Sequence, residues 1–115
     1  MLQKGGGKMR AEEIIFQADS QLPNEQSDEV KMGWLRAVEG RIQTDIYKMK
    51  AEDVKLPEGG DDTLTLPDSH AGVYLFYILS MLEMTRGNYA AFATLDERFE
   101  AALSAYARYY IRNRA

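Results

Sequence analysis

Cysteine is absent from this 115-residue chain, which excludes disulfide stapling and thiolate-bound metal and leaves stability to packing and hydrogen bonding. Histidine occurs once, at His70, so the Glu-x-x-His pairs of a helical di-metal centre cannot be assembled. Residues 1–8 lack the apolar stretch of a signal peptide. The greasiest segment, residues 73–84, falls short of the about 20 apolar residues that a bilayer demands. Gly5-Gly6-Gly7-Lys8 has neither the preceding strand nor the spacing of a phosphate-cradling loop. What is plentiful is apolar and aromatic surface: 45% of residues are hydrophobic, with seven Tyr, four Phe and six Met. That content argues for one packed domain and against disorder over most of the length.

The chain is organised around residues 73–84, in which ten of twelve side chains are apolar or aromatic. A helix greasy on all sides belongs inside the fold. Asp68 or Ser69 is placed to cap it, Arg86 suits its negative end, and Gly87 tolerates the left-handed turn beyond. The pattern predicts a helix over 69–86.

Three amphipathic helices are expected around it. The first covers 10–20, acidic in its first turn and apolar behind. The second covers 28–48, opens at Ser27 and carries a stripe of Val30, Trp34, Leu35, Val38, Ile42 and Ile46, with Lys31, Arg36, Glu39, Arg41 and Asp45 outside it. Gly33 and Gly40 interrupt it at roughly 1 kcal/mol each, a cost that suggests close crossings with a neighbouring helix. The last helix covers 88–113, capped by Asn88, with Tyr89, Phe92, Leu95, Phe99, Ala102, Leu103, Tyr106 and Tyr110 on its apolar face. Its two-residue link to the central helix makes the pair an antiparallel hairpin. The expected architecture is an all-α bundle of about four helices, with residues 1–9 as a flexible leader and 10–115 as the single domain; Met9 is an alternative start. Residues 49–67 form a long acidic connection in which Val54 with Leu56, and Leu64 with Leu66, alternate with polar residues and permit a short β-hairpin.

A catalytic reading finds little to work with. His70, at the start of the central helix, reads as a capping or surface residue; Glu83, the one acid in the greasy run, reads as an i, i+3 partner of Arg86. No nucleophile, base and orienting group stand together, so neither enzyme activity nor a cofactor is expected. Sequence-specific DNA readers are usually basic, whereas this chain has a net charge of −4 and balanced long helices. The charge is nevertheless uneven. Six acids lie between Glu52 and Asp68 against Lys55 alone, and Arg108, Arg112 and Arg114 end the chain with no opposing carboxylate. Asp53, Glu58, Asp61 and Asp62 on one side and those three arginines on the other are therefore candidate complementary surfaces between copies.

In order and spacing, several motifs resemble the small helical head–tail connector (adaptor) proteins of tailed bacteriophages and prophages. They are Pro23-Asn24 with Ser27-Asp28-Glu29, Lys31-x-x-Trp34-Leu35, and Glu39-Gly40-Arg41-Ile42. The second half adds Leu66-Pro67 leading into Tyr74-Leu75-x-Tyr77, then Arg86-Gly87-Asn88-Tyr89, Phe99 to Ala102, and Tyr109-Tyr110-x-Arg112. The resemblance covers residues 10–113. It implies an all-α virion structural protein that assembles in the host cytoplasm as a ring, commonly dodecameric, below the portal. Its expected partners are further copies of itself, the portal protein and tail-side connector proteins. DNA would pass through the ring without sequence-specific binding, and no membrane is involved. The alternative is a small helical DNA-binding or regulatory protein.

Overall fold

The computed structural model describes residues 7–114. Strand β1 (Lys8–Arg10) runs directly into helix α1 (Ala11–Gln21). Helix α2 (Asp28–Arg41) continues through a π-helical turn (Ile42–Ile46), and a 3-10 turn (Ala51–Asp53) follows. Strand β2 (Thr63–Pro67) precedes a second 3-10 turn (Asp68–His70). Helix α3 (Gly72–Thr85) and helix α4 (Tyr89–Asn113) complete the chain. The four expected helices are all present.

None of residues 73–84 is exposed. Helix α3 packs chiefly along α4, with α1 and α2 also against it. Its Val73, Tyr74, Ile78 and Leu82 join Ile14, Leu35, Ile42, Leu64, Leu66 and Phe99 in the core. Helix α3 has no side-chain cap. Asp68 and Ser69 are spent on the 3-10 turn instead, in which Ala71 N–H donates to Asp68 O at 3.1 Å. Two caps are where the sequence put them: Ser27 accepts from Val30 N–H at 3.1 Å, and Asn88 accepts from Ala91 N–H at 3.4 Å. Gly87 takes the left-handed conformation, φ 76°, that turns α3 back into α4. At the far end of α2 the helix underwinds into the π-helical turn. Tyr47 N–H donates to Ile42 O at 3.1 Å, and Lys48, at φ 59°, stops the helix short of the expected 48.

The connection departs most from expectation. A strand does form over 63–67, but its antiparallel partner is Lys8–Arg10, not the Val54–Leu56 segment. The described part of the expected leader, residues 7–9, is thus an extended edge of the fold, while residues 1–6 lie outside the described residues. Gln43 explains the change of partner. Its Nε2 donates to Lys55 O at 2.8 Å and to Thr65 Oγ1 at 3.3 Å, and its Oε1 accepts from Lys55 N–H at 2.9 Å. A side chain from the π-helical turn after α2 therefore holds the backbone group that a hairpin would have paired. Arg36 Nε adds a bond to Pro57 O at 2.8 Å. The connection is thereby pinned to the helix.

The α2 stripe is also rotated from its expected position. Val30 is exposed, whereas Lys31 and Glu39 are 2% and 1% exposed. Neither glycine of α2 marks a helix crossing. A Cβ on Gly33 would meet nothing within 4 Å, and on Gly40 only Leu56 Cδ2 at 3.8 Å. On α4, Tyr89 proves 65% exposed, because the helix starts beyond the end of the core it packs on.

Candidate interaction surface

Helix α4 has 25 residues and α3 has 14, so at 1.5 Å per residue the last helix outruns its partner by about 16 Å. The overhang is held at its base by an aromatic cluster. Tyr47 and Tyr106 share a hydroxyl–hydroxyl bond of 2.6 Å. Tyr110 stacks on Tyr47 at 4.7 Å between centroids. His70 lies 4.9 Å from the Tyr106 ring and 5.0 Å from the Tyr109 ring, so the single histidine anchors α4 and caps nothing. Burial raises the Tyr47 hydroxyl above its ordinary pKa, with the Tyr106 bond acting in the same direction.

Beyond this base the overhang is bare. Tyr109 is exposed, and Ile111 is 65% exposed. Arg108 and Arg112 are exposed and make no ion pair among the described residues, and Arg114 lies over the Tyr110 ring at 5.5 Å. The last acid before them, Glu100, is taken. Its carboxylate receives both Arg41 nitrogens at 2.9 and 3.0 Å, a fork that holds its pKa below the ordinary glutamate value.

The candidate acids do not form one patch. Asp53 sits in the first 3-10 turn, beside a groove lined by Lys8, Tyr47 and Lys55. Glu58, Asp61 and Asp62 belong to a tight turn laid over the start of α1, where Ala11 N–H donates to Asp62 O and Glu12 N–H to Gly60 O, both at 2.9 Å. These two carbonyls satisfy amides that the first turn of a helix cannot pair internally. The Asp62 carboxylate is itself occupied: it accepts from Glu58 N–H at 2.7 Å and Gly59 N–H at 3.1 Å, and those bonds lower its pKa. Asp61 points outward, 3.8 Å from Arg10.

That turn joins a second acidic stretch which the sequence reading passed over. Residues 11–30 hold six acids, Glu12, Glu13, Asp19, Glu25, Asp28 and Glu29, and no lysine or arginine; the absence of base across three turns of helix and a loop was the available signal. Lys31 enters from below, with Nζ 2.8 Å from Asp19 Oδ1 and 3.7 Å from Asp28 Oδ1, and Arg10 pairs with Glu12. The face remains net negative. In its middle Phe16 stands 72% exposed, between one groove lined by Ile15, Asp19, Asp28 and Met32 and another lined by Met9, Glu13 and Gln17.

A polar seam lies beneath β2. Thr65 N–H and Oγ1 donate to Glu39 Oε2 at 2.9 and 2.8 Å, Tyr74 O–H donates to Glu39 Oε1 at 2.6 Å, and Leu66 N–H donates to the Tyr74 oxygen at 2.9 Å. Burial, and then the Glu39 charge, push the Tyr74 hydroxyl far above its ordinary pKa. Every group in this seam is engaged with another part of the fold, so its role is structural. Glu83 lacks the expected Arg86 pair; its Oε1 is buried without a hydrogen-bond partner among the described residues. Among those residues no three His, Asp or Glu side chains converge as a metal site requires, and no helix is long and apolar enough to cross a membrane. Comparison with protein-family models, with curated proteins and with solved structures finds no match for this chain.

Proposed function

We propose that this chain is a structural assembly protein, a subunit of the ring that joins the DNA-filled head of a tailed phage to its tail. The observation that carries the assembly role is the bare end of α4, where exposed Arg108, Arg112, Tyr109 and Ile111 project past an otherwise finished core. An apolar and cationic surface whose arginines make no ion pair is what a protein–protein contact uses, an apolar centre with charge to steer and register it. The phage setting comes from the motif resemblance, which specifies copies arranged below the portal around a DNA channel. The pinned connection suits this reading, since a preformed surface binds without the entropy of ordering a loop.

Charge reversal at Arg108 and Arg112 tests it. The double variant should keep the circular dichroism and melting of the wild type yet fail to enter particles, leaving filled heads without tails. Normal particles containing the variant would refute the assignment of this surface. The DNA-binding alternative draws on the same arginines and predicts duplex affinity falling steeply with salt. A connector subunit, with net charge −4, should show little at any salt.

A further inference from the structure

We infer that the end of α4 from one copy docks in the acid-rimmed apolar groove around Phe16 on the next copy. The contact deepens the ring reading and rests on it for closure of the ring. Both halves are on the surface of a single chain, and they are complementary in two respects. The overhang offers Tyr109 and Ile111 as apolar residues and Arg108 and Arg112 as cations, with no acid after Glu100. The groove offers the exposed Phe16 over a floor of buried Ile15 and Met32, and Glu12, Asp19 and Asp28 as anions outnumbering the Arg10 and Lys31 that pair with them, in a cleft of about 460 Å³. Helix-in-groove docking with matched charge is a recurrent recognition mode.

Two further features favour a second copy as the occupant. Phe16 is a large ring left in water beside the well-covered Ile14 and Ile15, and removing such apolar surface from water favours association. Arg36 and Arg41, by contrast, are engaged by Pro57 O and Glu100 within the chain, whereas at the α4 end exposed Arg108 and Arg112 stand beside exposed Tyr109 and Ile111 with no ion pair among the described residues. Because the two surfaces differ, the contact is head-to-tail, and repetition closes into a ring if the rotation allows.

The absence of cysteine makes the contact directly testable. Gln17→Cys, beside Phe16, and Asn113→Cys, on the overhang, are made in separate chains, mixed, and treated with a short bis-maleimide. The heterodimer bridged from 17 to 113 should outnumber each homodimer at least tenfold, and the excess should vanish when Arg108→Glu and Arg112→Glu are added to the Asn113→Cys chain. Ala93→Cys, exposed on the same helix away from the overhang, serves as the collision control. Cross-linking of 17 to 113 no better than 17 to 93 would overturn the docking. The ring reading is scored separately by imaging wild-type chain with portal. Rings without a 17–113 bridge sink this contact alone, whereas a bridge without rings sinks the connector reading and leaves the contact standing.

Discussion

Glu39 carries a carboxylate into a site that is 1% exposed, and it is tolerated there because three donors, two from Thr65 and one from Tyr74, meet it. Removing the acceptor strands those donors, each at about 1–3 kcal/mol. Glu39→Ala should therefore cost at least about 3 kcal/mol in denaturant unfolding, with unchanged slope, while Glu39→Gln, which keeps one acceptor, should fall between it and wild type. A loss near zero for the alanine variant would show that the seam does not hold β2. The Arg41–Glu100 fork makes a weaker, pH-dependent contribution. The folded pKa of Glu100 is depressed below its ordinary 4.5, so the stabilisation is present above pH 4.5 and lost as pH falls through the folded value. Both side chains are nearly half exposed, so screening keeps the effect small. Melting curves of wild type and Glu100→Gln should separate above pH 4.5 and converge in acid; a constant gap would contradict the linkage.

At the scale of elements, Gly33 of α2 and Gly60 of the connection make opposite predictions. Gly33 lies in a helix with open space around it, so Gly33→Ala should stabilise by about 1 kcal/mol. Gly60 lies where a Cβ would meet Glu12 Cβ at 3.0 Å, so Gly60→Ala should destabilise by about 1 kcal/mol as the turn lifts off α1. Thermal unfolding of the two variants decides both signs. The helices themselves were legible because their signals are local: Ser27, Asn88 and Gly87 each act within a few residues, and the apolar run at 73–84 has only one sensible place to go. What was not legible depends on partners far along the chain. Lys31 and Glu39 look like solvent residues until Asp19, Thr65 and Tyr74 are brought to them. The Val54 and Leu64 segments look like a hairpin until Gln43 takes the backbone of Lys55. The candidate arginines were visible as an acid-free run. Their acidic counterpart was only half visible, since the turn at 58–62 and helix α1 become one face only in three dimensions.

Over the whole molecule, charge is separated even though the total is modest. The α1 face and its overlying turn are anionic, the end of α4 is cationic, and a core spanning all four helices holds the two apart. The proposed pairing of these unlike surfaces between copies is head-to-tail, and raised salt should weaken it by screening the rim charges. The most direct measurement is electron microscopy of the purified chain mixed with a tailed-phage portal protein. The account predicts a closed ring of copies stacked coaxially below the portal and absent when Arg108 and Arg112 are reversed. Bare portals, with the wild-type chain left unassembled in the background, would contradict it.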